Sequence, residues 1–234
     1  MPARIVITGA TDGIGACLAR DYARAGAHLV LTGRRPSMEV DLPSQHATYV
    51  RADQSEPVEA AGRILSAVQA RGWQSLDAAI LNAGTGNVAD PAEDERIIEQ
   101  IDVNLAAPIA IARMLAPFLL EGNGTLALVG SAAHRGAPRF AAYAASKAGL
   151  HGFVRSLAEE WRGRAHVAVL HPGATETGMH AKAGFDPGMA TVAFQSPERV
   201  ARGIERAVRR RAPSRRLGRL YCMTALPMRP GSLA

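Results

Sequence analysis

An apolar run, Ile5-Val6-Ile7, breaks into the stretch Thr8-Gly9-Ala10-Thr11-Asp12-Gly13-Ile14-Gly15 and then into a segment whose Leu18, Tyr22 and Ala25 recur at helical spacing. A strand that turns at once into a helix through glycines leaves a chain few ways to fold. Each glycine has its own task in such a turn. Gly9 permits a tight reversal, Gly13 lets an anion approach the backbone, and Gly15 lets the helix pack close to the strand. The N–H groups and dipole of the helix's first turn then face that anion. The spacing is G-x-x-x-G-x-G and not G-x-G-x-x-G, so the agreement is with the mechanism of diphosphate binding and not with its usual lettering.

The alternation continues downstream. His28 to Thr32, Thr48 to Ala52, Ala78 to Leu81, Thr125 to Val129 and His166 to Leu170 read as further strands, apolar on both faces. Helical patterns separate them. Val58 to Ala70 carries Ala61, Ile64, Leu65 and Val68 on one face, and Ala92 to Leu120 has Ile97, Ile101, Leu105, Ile109, Met114 and Leu115 as its expected buried side. A third helix runs from about Arg139 to Arg162. Strands buried on both sides and spaced by helices belong in a parallel sheet, so the expected class is α/β, with helices covering both faces of the sheet. The 234 residues, 1–234, suit one domain without repeat or linker. Met1 to Arg4 leave no room for a signal peptide, and no apolar run approaches the roughly 20 residues that span a bilayer. Cys17 and Cys222 are too few for a disulfide scaffold or a metal site. A cytoplasmic protein with reduced thiols is expected.

At the end of its second strand a dinucleotide-binding fold usually carries an acid that holds the adenosine ribose hydroxyls. Here the chain reads Gly33-Arg34-Arg35-Pro36. A guanidinium fork suits a 2′-phosphate and no acid opposes it, so NADP(H) is expected in preference to NAD(H). Asp53 can accept the adenine amino group or cap the helix that follows Ser55-Glu56-Pro57, and both readings stand. Asn82-Ala83-Gly84-Thr85-Gly86 offers small residues against which a flat ring can lie.

The net charge of +6 is local: nine arginines from Arg199 to Arg219 face a single acid, Glu205, and the rest of the chain is net negative. A whole-surface nucleic-acid footprint is therefore not expected. The basic C-terminal segment, 199–234, is open to three readings. It can be a solvated helix face with a basic tail, a dock for an acidic partner such as an acyl carrier protein, or a membrane-surface contact with Leu217, Leu220 and Leu226 beside it. Gly178 to Ser196 follows a strand's carboxyl end and precedes a helix start at Pro197-Glu198, so residues 178–196 are expected to cover the substrate.

Ligands of open parallel sheets lie beyond the carboxyl ends of the strands. Ser131 falls just past the fifth strand, and Tyr143 and Lys147, four residues apart, share one face of the next helix. A phenol titrates near about 10; a neighbouring ammonium and the charge of an oxidised nicotinamide would bring it towards working pH. Such a phenol gives its proton to a carbonyl oxygen in reduction and recovers one from the alcohol in oxidation. Ser131 can hydrogen-bond the same oxygen. Asn104 sits beside an apolar stripe, where an amide needs partners.

Taken in order, Thr8-Gly9-x-x-x-Gly13-Ile14-Gly15, Asn82-Ala83-Gly84, Asn104, Ser131, Tyr143-x-x-x-Lys147 and Pro172-Gly173 resemble the short-chain dehydrogenase/reductase family, single-domain branch, over nearly the whole chain. The resemblance implies a Rossmann-like doubly wound parallel sheet and a nicotinamide coenzyme. It also implies Tyr143 as acid/base, Lys147 on the nicotinamide ribose, Ser131 orienting substrate, and Asn104 holding a water that relays protons to Lys147. Coenzyme contacts are implied for Gly9, Thr11, Asp12, Gly13, Ile14 and Gly15, for Arg34, Arg35 and Asp53, and for Asn82, Ala83 and Gly84. Pro172, Gly173, Thr175 and Thr177 complete the set, and a homodimer or homotetramer is implied around the helices of Asn104 and Tyr143. Leu81 stands where many members carry a further asparagine, and Arg209 to Ala234 match no substrate-defining pattern. The expected activity is reduction of a small-molecule ketone or aldehyde, or oxidation of its alcohol. A 3-oxoacyl-(acyl carrier protein) reductase and a non-catalytic NADPH-binding regulator are the alternatives.

Overall fold

Period-two alternation within each strand feeds two separate cores. In β1 (Arg4–Ile7), Ile5 and Ile7 point into one cluster and Val6 into the other; β2 (His28–Gly33) divides Leu29 and Leu31 from Val30 in the same way. β4 (Ala78–Leu81), β5 (Thr125–Val129) and β6 (His166–Pro172) repeat the pattern, and β3 (Ala47–Arg51) and β7 (Arg215–Leu217) form the edges. A sheet that is apolar on both faces is stable only when helices cover both. The computed structural model describes residues 1–41, 43–86, 94–176 and 194–217.

One face is covered by α1 (Gly13–Arg24) and α6 (Pro197–Arg209), through Leu18, Val200 and Ile204; α2 (Pro57–Ala70), α4 (Ala107–Glu121) and α5 (Ala141–Glu160) cover the other, through Ile64, Leu115, Leu119, Leu150 and Val154. All strand pairs are parallel, in the order β3-β2-β1-β4-β5-β6-β7. The order reverses direction between β1 and β4, which opens a crevice at their carboxyl ends. The expected doubly wound α/β sheet is present. β7 was hidden from sequence reading because two of its three residues are arginines within the basic segment.

Two further expectations change. The helical stretch after β4 is α3 (Asp94–Ile101), a π-turn (Asp102–Ala106) and α4, not one regular helix. The π-turn inserts extra residues per turn and rotates the apolar stripe, so Ile109, expected inside, is 36% exposed while Ile111 is fully buried. Arg96–Glu121, which holds an 18-residue window of mean hydropathy 1.7, is long and apolar enough to cross a membrane by length and composition alone. Its inward residues pack against α2 and the sheet.

α6 carries the first part of the basic segment on a solvated face. Val200, Ala201, Ile204, Ala207 and Val208 face the core, and Arg202, Arg206 and Arg209 are exposed on the opposite side. Leu217 is buried in the core, so it is not available to a membrane surface; Leu220 and Leu226 lie outside the described residues. Most of the 178–196 segment also lies outside them.

Candidate active site

The turn between β1 and α1 is built to admit an anion. Gly9 has φ +64°, and a Cβ there would stand 2.8 Å from the Ala83 Cα. A Cβ on Gly15 would lie 2.0 Å from the Gly9 carbonyl oxygen and 2.6 Å from Asn82 Nδ2, so no other residue fits. Asp12 is the N-cap of α1, its carboxylate accepting from the Gly13 amide at 2.7 Å. Thr8 bolts this turn to the one after β4: its buried hydroxyl accepts from the amides of Asn82 at 3.0 Å and Ala83 at 3.1 Å. Asn82 Nδ2 returns bonds to the carbonyls of Thr8 and Gly9, both at 3.2 Å. Thr8 opens the sequence motif but had no role of its own there, since only the fold brings it beneath Asn82.

The adjacent strand ends supply cations. Arg34 and Arg35 follow β2 and are exposed. Register pairs Gly33 with Arg51 of β3, and Arg51 Nε donates to the Arg34 carbonyl at 3.2 Å while the Tyr49 hydroxyl donates to the Arg35 carbonyl at 2.8 Å. Three arginines therefore share this corner, of which Arg51 was missed. Arg34 is already engaged: its Nη1 lies 3.6 Å from Glu99 Oε1 on α3. Asp53 does not cap α2, whose N-cap residue is Glu56; its Oδ1 accepts from the Ser55 amide at 3.1 Å and the Ser55 hydroxyl at 2.9 Å, an Asx-turn. The glycine cradle and the α1 terminus fit the diphosphate of a dinucleotide.

At the carboxyl ends of β4, β5 and β6 the polar residues converge. Lys147 is 3% exposed, and its Nζ donates to the Val129 carbonyl at 3.1 Å. Burial lowers its pKa from 10.5 to about 8. Nζ lies 5.8 Å from the centre of the Tyr143 ring. The Tyr143 phenol is raised above its ordinary value by burial, opposed by a hydrogen bond with the Ser131 side chain. The expected acidification draws on the ammonium together with an oxidised nicotinamide; in the protein alone burial holds the phenol above its ordinary value. Ser131 Oγ also accepts from the Ala133 amide at 3.1 Å, capping the short 3₁₀ turn Ala132–Arg135.

Asn104 is fully buried within the π-turn, and its amide bonds the Thr85 backbone from both ends: Oδ1 accepts from Thr85 N at 3.0 Å and Nδ2 donates to Thr85 O at 2.7 Å. A Cβ on Gly84 would meet Asn104 Oδ1 at 3.0 Å and Lys147 Nζ at 3.2 Å, so these two side chains border the Ala83–Gly84 turn together. Past β6, the Gly173 amide donates to the Leu217 carbonyl at 3.3 Å and the Thr175 hydroxyl to the Gly173 carbonyl at 3.0 Å. Thr177 lies outside the described residues. Two histidines that the sequence did not mark, His134 and His171, stack at 3.9 Å beside Ser131, with His151 under 6 Å from both.

Comparison with known proteins agrees with this geometry. The short chain dehydrogenase family pattern matches residues 3–187. The chain is 34% identical over 184 residues to 11-beta-hydroxysteroid dehydrogenase 1A of Arabidopsis thaliana, covering 74% of this chain and 52% of that protein. It thus spans about half the length of that relative. It is 32% identical over 191 residues to the uncharacterized oxidoreductase YciK of Escherichia coli K12, covering 76% of each. Among solved structures, an alcohol dehydrogenase from the archaeon Thermococcus sibiricus, complexed with 5-hydroxy-NADP, superposes with a TM-score of 0.80 at 25% identity, over 93% of this chain and 96% of that one. With the switch-point crevice, the glycine cradle and the Ser131, Tyr143 and Lys147 cluster all in one place, the chain belongs to the short-chain dehydrogenase/reductase family.

Proposed function

We propose that the protein is an NADP(H)-dependent oxidoreductase that interconverts a small-molecule carbonyl and its alcohol, with Tyr143 as general acid/base. The observation that carries this reading is the meeting of the Ser131 and Tyr143 side chains at the switch-point edge, with buried Lys147 behind them. Bound coenzyme supplies the hydride and, when oxidised, a positive ring charge that favours the phenolate.

The remaining work falls to the chain. Ser131 hydrogen-bonds the substrate oxygen while the Tyr143 phenol gives it a proton, and the same phenol takes the proton back in oxidation. Lys147, tied to Val129, holds a positive charge within the cluster and borders the turn at Gly84, where it would hold the nicotinamide ribose. Thr8, Asn82 and the α1 terminus hold the diphosphate cradle rigid. Arg34, Arg35 and Arg51 support NADP(H) over NAD(H), because a 2′-phosphate offers them a fork-compatible anion. Exposed Ile98 on α3 and Ile109 on α4 support a homo-oligomer through this side of the molecule.

The test is coenzyme consumption with NADPH and with NADH against ketones, aldehydes, quinones and acyl thioesters. Tyr143→Phe is expected to abolish turnover while NADPH still binds. A variant that keeps its rate would refute the acid/base assignment, and a wild-type preference for NADH would refute the coenzyme assignment.

A further inference from the structure

We infer that His171 and His134 are positioning residues that fix the Ser131 main chain, and through it the Ser131 hydroxyl, against Tyr143. The inference rests on the reading of Ser131 as the group that orients the substrate oxygen. Three N–H groups converge on one carbonyl, that of Ser131: His134 Nδ1 at 2.7 Å, His171 Nδ1 at 3.1 Å and the His134 amide at 3.1 Å. One strand end thus has its peptide plane gripped from β6 by His171 and from its own 3₁₀ turn by His134.

The tautomers follow from the contacts. A carbonyl oxygen only accepts, so both imidazoles carry their proton on Nδ1. His171 is 3% exposed and its Nε2 has no hydrogen-bond partner. Moving the proton to Nε2 would bury an unsatisfied donor and set the Nδ1 lone pair against the carbonyl oxygen. Burial first, then the neighbouring His134, His151 and Lys147, lower its pKa to about 4, so the ring stays neutral at working pH. The ring reaches the carbonyl because residue 130 has no side chain: a Cβ on Gly130 would stand 2.4 Å from His171 Nδ1. Stacking at 3.9 Å then fixes the plane of each ring against the other.

Ser131 needs such a grip. Its hydroxyl already accepts from the Ala133 amide and bonds Tyr143, so a small rotation of the 131 peptide would turn it away from the substrate oxygen. Among the described residues neither histidine hydrogen-bonds Tyr143 or Lys147, so as neutral rings they act on the site through Ser131.

The experiment uses the full-length protein, NADPH and a carbonyl compound that the wild type reduces. His171→Leu is expected to lower kcat by about three- to tenfold, the worth of one ordinary hydrogen bond, with the Kd for NADPH unchanged. His171→Asn keeps an N–H where Nδ1 stands and is expected to restore most of the rate. Gly130→Ala displaces the ring by a separate route and should reproduce the loss, which keeps the test open if His171→Leu fails to fold. In a Ser131→Ala background, His171→Leu should change nothing further. The inference is overturned if His171→Leu turns over at the wild-type rate, if His171→Asn is as slow as His171→Leu, or if the loss persists undiminished without the Ser131 hydroxyl. Full activity in Ser131→Ala overturns the underlying reading of Ser131 itself; a crippled Ser131→Ala beside an unimpaired His171→Leu overturns the clamp alone.

Discussion

Replacing Lys147 by methionine removes an ammonium that the fold holds in a dry place, and the stability should rise by an amount that fades with pH. Burial drops the pKa from 10.5 to about 8. A base whose folded pKa lies below its unfolded one binds fewer protons in the native state between those two values, so native stability rises with pH across that window. Below about 8 both states are protonated and the penalty is complete; above about 10.5 both are neutral and it vanishes. A drop of roughly 2.5 in pKa corresponds to about 3 kcal/mol at about pH 7, and to about 1 kcal/mol at about pH 9.5, where the unfolded lysine is already partly neutral. The variant also loses the bond from Nζ to the Val129 carbonyl, and any change in that bond as the amine loses its proton is already contained in the folded-state pKa. Subtracting wild-type from variant unfolding free energies, measured in urea at each pH, therefore isolates the charge. The difference should shrink by about 2 kcal/mol between about pH 7 and about pH 9.5. A difference that stays constant or grows would show that Lys147 is not a charge held at a cost. The stabilised variant should be inactive, the trade expected where function demands a buried charge.

Arg34→Asp should reduce the ratio of NADPH to NADH affinity by about 10-fold or more, the worth of a charge-assisted bond, in parallel coenzyme titrations; an unchanged ratio defeats the 2′-phosphate assignment. Glu99→Gln frees Arg34 from its present partner and should tighten NADPH about two- to fivefold at low salt, and less at high salt, as befits a half-exposed pair. No tightening, or tightening that salt does not diminish, would rule out competition for Arg34. Thr8→Val leaves the amides of Asn82 and Ala83 without their buried acceptor and should cost about 2–4 kcal/mol in urea unfolding. A loss below about 0.5 kcal/mol would mean that the two turns are not joined through that hydroxyl.

Local pattern made much of the molecule legible. The strand–glycine–helix turn, the pairing of Tyr143 with Lys147 along one helix face, and the position of Ser131 past a strand end all depend on short-range periodicity, and each appears where the spacing places it. Ile109 shows where that method fails, because a π-turn changes the period in mid-helix and swings the stripe around. The arginines of α6 left several readings open in the sequence. They dominate the composition of the segment, while the alternate residues Val200, Ile204 and Ala207 anchor the helix to α1.

From its residues alone this chain was bound to build a parallel sheet around a glycine turn and to carry a phenol and an amine on one helix, since apolar period and glycine spacing are properties of neighbouring residues. Only the folded molecule decided which distant groups would meet. Register set Arg51 beside Arg34, the order β1-β4 set Thr8 beneath Asn82, and the pairing of β5 with β6 brought His171 to the carbonyl of Ser131. It also decided the acidities, because the charge on Lys147 and the proton on Tyr143 depend on how much water the packed core excludes, which no spacing along the chain records.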